Sequence, residues 1–437
     1  GMLLCWVAKV VALPSAVRLL HRDVPERAAG NGLFARIRRD GVHFQAPFVA
    51  AVRTAPRLIA MVGAALAIAG VVVGVLYVKS DPMEYNMRRL QNDLGGGAEM
   101  YRVSGIAEHI LGAKLESSMV VLCDRLDQVV PLKKTLEARR DAAPPDDKPL
   151  EAVHTLFDFV PDEQEEKIPT LEALAERLTR AYQRHMITEE DWKDLQEIMP
   201  PEDLKPYGIA DLPDELARPF TEKDGTRGRL VLVEPTAGKN DSDLRYLLKY
   251  ANAFRETKLP DGSVVRGSGR AVIFADMLAA VEADMPKATM LAFALTVIAV
   301  ALTFRRGGYS MGVLGSLLVG LSMLALFLGV AHVRINFFNF IALPITFGIG
   351  VDYAVNLMHR YFVDGKDRTV LGAMRTTGGA IVLCSLTTMV GYLALLGSMN
   401  QAIRSLGVVA VAGEVTCLAS AMLVLAAVLK WREEKKK

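Results

Sequence analysis

The stretch ITFGIGVDYAVNLMHRY, residues 345–361, places Asp352 and Tyr353 inside a run that otherwise reads as lipid-embedded helix. A charged carboxylate at the centre of such a helix costs about 2.5–3.5 kcal/mol. Asp352 must therefore face protein, face water or carry a proton, and a carboxyl group so placed is suited to taking up and releasing one. Gly348, Asp352, Asn356 and His359 are spaced four, four and three apart, which puts them on one helix face. Gly348 and Gly350 remove side-chain bulk so that a neighbouring helix can approach, and Pro344 adds a kink or a freed carbonyl. His359 reads as a membrane-interface residue. Tyr353 suits either a hydrogen bond to a carboxylate across the bundle or simple aromatic packing.

A second acid, Glu414 in VAVAGEVTCLAS, falls near the middle of another apolar run beside Gly413, so it too is a buried polar partner or a protonatable group. The segment CSLTTMVGY, residues 384–392, contributes Ser385, Thr387 and Thr388. Such hydroxyls either bond their own helix backbone or solvate Asp352. Elsewhere the chemistry thins out. His109, His154 and His185 lack metal-ligand spacing, no serine sits in a nucleophile elbow, and the Gly-rich VVRGSGRAV fits no phosphate-binding pattern. We therefore expect no enzyme, no cofactor, no metal and no nucleic-acid partner, and look to an ion gradient for any energy the protein uses.

The elements that must position these groups follow from hydropathy. Residues 58–78 contain no charge, and a helix of that length spans a hydrocarbon core of about 30 Å. Five more apolar segments follow at about 288–304, 309–333, 337–358, 379–398 and 405–429. Short loops join these five, so they should form one bundle over 287–430. Arg53 and Arg57 with earlier arginines from Arg18 to Arg39, then Arg305 and Arg306, then Arg360, Lys366, Arg368 and Arg375, and finally the basic tail 431–437 fall at one set of span ends. These ends are expected in the cytoplasm. The chain carries 51 Lys and Arg against 49 Asp and Glu; this near-neutral sum averages unlike halves and identifies no partner. The apolar residues 1–13 are too short to cross and contain Lys9, and are expected to be the stub of a preceding transmembrane helix, followed by a cytoplasmic loop over 14–57.

Residues 79–286 then lie on the far side. SSMVVLC and GRLVLVEP read as strands, and RLDQVVPLKKTLEARR and DLRYLLKYANAFRET as amphipathic helices laid on a sheet; their alternation predicts an α+β sandwich. A charged, Pro-containing helical insert is expected over about 140–225, with Thr188 as an N-cap three residues before Asp191. Cys123 is the one thiol of this region, so no internal disulfide forms there.

FGIGVDYAVNLMHRY, the SLTTMVGY one helix later, and the order of one span, a large external region and five spans resemble the C-terminal half of an RND-superfamily transporter of the MMPL branch. MEYNMRRLQND and HTLFDFVPDEQEEKIPTL narrow the resemblance to its hopanoid-transporter members. It implies a polytopic α-helical membrane protein: six complete transmembrane helices in one half-transporter bundle, with an α+β periplasmic porter domain. The large loop would lie in the periplasm and the C-terminus in the cytoplasm, at a bacterial inner membrane. Asp352 and Tyr353 would form the proton relay, supported by Gly348, Gly350, Asn356, Ser385, Thr387, Thr388 and Glu414. In the family a second Asp-Tyr pair faces this one from another helix, and this chain carries no such helix. The expectation is a fragment whose N-terminal half, or a second copy, supplies it.

The implied function is proton-motive-force-driven export of a hopanoid-like lipid, with the lipid substrate, the membrane and periplasmic proteins as the implied partners. The competing classes are a proton-coupled accessory factor for protein translocation and a non-transporting sensor or scaffold. The first shares the membrane core of the superfamily, and in the second the acids would only pack.

Overall fold

The computed structural model describes residues 43–90, 102–103, 106, 119–201, 204–236, 239, 243–304, 307–363 and 369–436. The expected helix stub at 1–13, most of the loop at 14–57, and Arg305, Arg306, Lys366 and Arg368 lie outside the described residues.

Among the described residues, six helices are long and apolar enough to cross a membrane. Helix α1, Ala46–Thr54, leads into the first of them, α2, Pro56–Lys79, whose proline sits in the first turn, where a missing N–H leaves no bond unmade. The other five come late in the chain, as α7 to α12, with the last helix written in two parts because a π turn divides it. They are α7, Arg270–Thr303; α8, Gly307–Val330; α9, Ala342–Val363; α10, Val370–Leu395; and α11, Gln401–Ala419, continued through Ser420–Leu425 into α12, Ala426–Lys436.

Small residues set the helix contacts, as they do where lipid offers no hydrophobic drive between helices. Gly70 and Gly74 lie four apart on α2 and meet α8: a Cβ on Gly70 would stand 1.9 Å from the Ser322 carbonyl oxygen, and one on Gly74 would stand 3.1 Å from Ala325. From the other side Gly329 of α8 admits Val73. The G-x-x-x-G spacing of Gly70 and Gly74 is a contact pattern common to membrane helices.

Between α2 and α7 lies the α+β region. Strand β1, Met119–Leu122, helix α3, Val129–Asp141, strand β2, Val153–Thr155, helices α4, Gln164–Gln183, and α5, Glu189–Ile198, strand β3, Leu230–Val233, and helix α6, Leu244–Phe254, come in that order, followed by the hairpin β4, Glu256–Lys258, and β5, Val264–Arg266. The sheet is antiparallel in the order β1-β3-β2, with Val121 opposite Val231, and Met119 and Val153 both opposite Val233. Val121, Val153, Val231 and Val233 alternate onto one face and bury against α3 through Leu132 and Leu136 and against α6 through Leu247, Tyr250 and Phe254. Each such side chain fully buried contributes about 1.5–3 kcal/mol. The Tyr250 hydroxyl accepts from the Met119 N–H at 3.2 Å and donates to the Val233 carbonyl at 2.5 Å, tying two strands to the helix.

Three departures from the sequence reading have physical causes. Strand β2 lies inside the range 140–225 expected to be a helical insert; it is only three residues long, too short for a period-2 pattern to register. Helix α4 and helix α5 do occupy that range, and Thr188 accepts the Asp191 N–H at 3.2 Å as its N-cap. Second, the bound between the external region 79–286 and the bundle 287–430 falls inside one helix: α7 runs unbroken through Pro286 for 34 residues. Its first turns bury Ala271, Ala275 and Leu278 in the α+β core, so that core and the bundle share one rigid rod. Third, Pro344 sits in the first turn of α9 and kinks nothing.

A second joint lies where the α8–α9 connection passes the α+β region. The Glu84 N–H donates to Ile335 O at 2.7 Å and the Ile335 N–H to Pro82 O at 2.8 Å. Next to it the buried Asn336 and Asn339 both donate to Ser405 Oγ, at 3.2 and 2.7 Å, which fastens the start of α9 to the first turns of α11.

Candidate functional site

The site grows from the way α9 meets α11. Gly350 of α9 lies against Cys417 of α11, where a Cβ would stand 2.5 Å from the sulfur, and Gly413 of α11 lies against Thr346 of α9, where a Cβ would stand 2.6 Å from Oγ1. Gly320 of α8 also touches Cys417. Two glycines on opposing helices thus bring the backbones together, Gly350 about one turn from Tyr353 and Gly413 next to Glu414.

Successive residues on a helix point about 100° apart, and here that angle splits the Asp-Tyr pair. Tyr353, 2% exposed, enters the bundle. Its hydroxyl bonds Oε2 of Glu414, which is 4% exposed. Ser385 of α10, fully buried, donates to the same carboxyl oxygen at 3.4 Å. Three helices therefore converge on one buried carboxyl group. Ser385 thus serves Glu414 and not Asp352. Hydroxyl donors strengthen the hold of a carboxylate in a low-dielectric interior, where leaving it unpaired would be costly.

Asp352 points the other way. With Gly348, Asn356 and His359 it forms an exposed strip along α9, as the spacing predicted, and among the described residues it has no hydrogen-bond or ion-pair partner. The two glycines expected to thin the helix contact differ: Gly350 does so, while a Cβ on Gly348 would meet nothing within 4 Å. Thr387 and Thr388 do not reach Asp352 either. Both donate to the Cys384 carbonyl, at 2.8 and 3.0 Å, the local bond that membrane hydroxyls make when no better acceptor is near. The sequence named Tyr353, Glu414 and Ser385 separately but could not join them, because the joining contacts are 29 and 61 residues apart along the chain.

Among proteins similar to this chain, a membrane protein of Methanocaldococcus jannaschii is 32% identical over 87 residues, 19% of this chain and 22% of the relative. Two solved structures are also similar. A heavy metal efflux pump shares 16% identity over 47% of this chain and 21% of its own, with a TM-score of 0.33. SecDF in its super-membrane-facing form shares 17% identity over 48% and 28%, with a TM-score of 0.31. The chain thus spans less than a third of each of these proteins. The MMPL family model, by contrast, matches residues 152–436, which include β2, β3, the hairpin, helices α4 to α12 and every residue of the buried carboxyl cluster. With that match over well more than half of its length and six helices long enough to cross a membrane, the chain is a multi-pass membrane protein of the MMPL family.

Proposed function

We propose that this protein, assembled with the facing half of its relay, exports a hydrophobic, hopanoid-like lipid from the inner membrane toward the envelope, driven by protons that pass through Asp352 and Tyr353. The observation that carries this reading is the split pair on α9. One acid stands on an open polar strip with no hydrogen-bond or ion-pair partner among the described residues, and its neighbour tyrosine holds a second, buried acid. A strip of Asp352, Asn356 and His359 left against hydrocarbon would be costly, so it is suited to being covered by further protein. The cover is the N-terminal half of a longer chain or a second copy of this one, and it supplies the facing half of the relay.

Proton uptake at Asp352 would remove its charge and the need for a polar neighbour. The strip could then repack against its cover, while Tyr353 and Glu414 stay bonded inside the bundle. Helix α7 and the joint at Ile335 offer two rigid routes by which a shift in the bundle moves the α+β region, which serves as the periplasmic porter domain. One proton crossing a potential supplies about 2.3 kcal/mol per 100 mV. Moving a whole lipid through water costs far more, at about 0.8 kcal/mol for each CH₂ exposed. The porter domain must therefore give the lipid an apolar path, and the proton resets that path.

The test is Asp352→Asn in the full-length protein, reconstituted with a proton gradient and followed by transfer of a labelled hopanoid to acceptor vesicles. Transport should fall at least 100-fold with folding unchanged. Transfer at the normal rate would remove the relay and leave the scaffold reading.

A further inference from the structure

A cavity in the bundle stands apart from the acid cluster. It is a cleft of about 700 Å³ at the end of the bundle away from the α+β region, between the first turns of α8, the end of α9 and the last helix. That volume lies within the range of about 300–1,000 Å³ typical of ligand sites. Its walls are mainly apolar, with Val319, Met358, Val428 and Leu429 beside Tyr309, Ser316 and Tyr361, and its mouth carries Arg432, Glu433 and Lys436. From Gly308 to Val319 the wall runs along α8 for about 16 Å, at 1.5 Å per residue, roughly the depth of one membrane leaflet.

Two further features shape it. The π turn Ser420–Leu425 supplies Val424 and Leu425 to the wall. Ser420 anchors that turn by donating to the Ser316 carbonyl at 2.5 Å. Such turns inside α-helices re-aim side chains and recur at functional sites. The charges at the mouth are also unequal. Glu433 is engaged: it accepts the Val370 N–H at 2.8 Å and lies 4.0 Å from Lys430 Nζ. Arg432 and Lys436 are exposed and, among the described residues, have no hydrogen-bond or ion-pair partner. The mouth is therefore cationic in effect, at the end of the bundle where the chain concentrates its Lys and Arg.

We propose that this cleft binds one anionic phospholipid of the adjoining leaflet, with an acyl chain lying along α8 and the phosphate held by Arg432 and Lys436. Apolar walls alone would accept any lipid tail; the two unpaired cations select the acidic head group, as basic pockets between transmembrane helices do. The site is distinct from the acid cluster and does not depend on the transport reading.

The experiment uses the full-length protein in vesicles of equal phosphatidylglycerol and phosphatidylcholine, with native mass spectrometry counting the lipids retained after extraction. One phosphatidylglycerol should be retained at least fivefold over phosphatidylcholine. Arg432→Ala with Lys436→Ala should abolish that preference. Gly315→Leu, at a position where a Cβ meets nothing within 4 Å inside the cleft, should displace the lipid and leave the cations intact. Asp352→Asn should retain the lipid even if transport is lost. Equal retention of both lipids, or undiminished phosphatidylglycerol in the Arg432/Lys436 double variant, overturns the proposal. That double variant is exposed at both positions and decides the matter even if Gly315→Leu does not fold.

Discussion

Tyr353→Phe removes a single oxygen from the buried carboxyl cluster and leaves the ring, so its effect reports on the hydrogen bond to Glu414 alone. In a water-soluble interior, stranding a buried acceptor costs about 1–3 kcal/mol. Hydrogen bonds between membrane helices average about 0.6 kcal/mol and reach about 1.7. Glu414 is 4% exposed and water cannot replace the lost donor, which places the expected loss near the upper membrane value, about 1–1.5 kcal/mol. Ser385 already donates to the same Oε2, though at 3.4 Å, and can shorten that bond when the tyrosine hydroxyl is gone. Ser385→Ala alone should therefore cost under about 0.5 kcal/mol, while the double variant should cost about 2–3 kcal/mol, more than the sum of the singles. The assay is reversible unfolding of the purified protein in mixed micelles, with Glu414→Gln completing a cycle against Tyr353→Phe. A Tyr353–Glu414 coupling below about 0.3 kcal/mol would refute the idea that this bond organises the three-helix contact.

Two other outcomes follow from the packing and from the charges of the α+β region. Gly70→Ala should sharply reduce the yield of folded protein, because the new methyl would overlap the Ser322 carbonyl of α8, whereas Gly348→Ala, with open space around it, should leave yield and Tm unchanged; size-exclusion profiles of the two variants make the comparison. In the α+β region burial pushes the Asp158 carboxyl up, but hydrogen bonds from Lys133, at 2.5 Å, and from Thr155 outweigh it and hold the group below the usual carboxylate range. A depressed folded value contributes stability that is complete above the unfolded value of about 3.9 and is lost as pH falls below it. Acid unfolding of wild type should therefore steepen below about pH 4, and Asp158→Asn should be less stable at pH 7 with a flatter acid limb, read by circular dichroism.

Much of this protein was legible because lipid is a strict solvent. A run without charge long enough to span it has to be helix, so the number and order of the six long helices came from hydropathy, and the cost of an acid in such a run made Asp352 and Glu414 conspicuous. Helical spacing also placed Gly348, Asp352, Asn356 and His359 on one strip. Spacing along one helix could not say what that strip faces, nor that the adjacent Tyr353 turns inward. That depended on which side α11 approaches, and α11 approaches where Gly350 and Gly413 leave room. The bond between Tyr353 and Glu414, the retreat of Thr387 and Thr388 to their own backbone, the continuity of α7 through Pro286 and the cleft beside the π turn are likewise products of helices meeting far apart in sequence. Local periodicity fixes which face a residue occupies; only packing decides what that face meets.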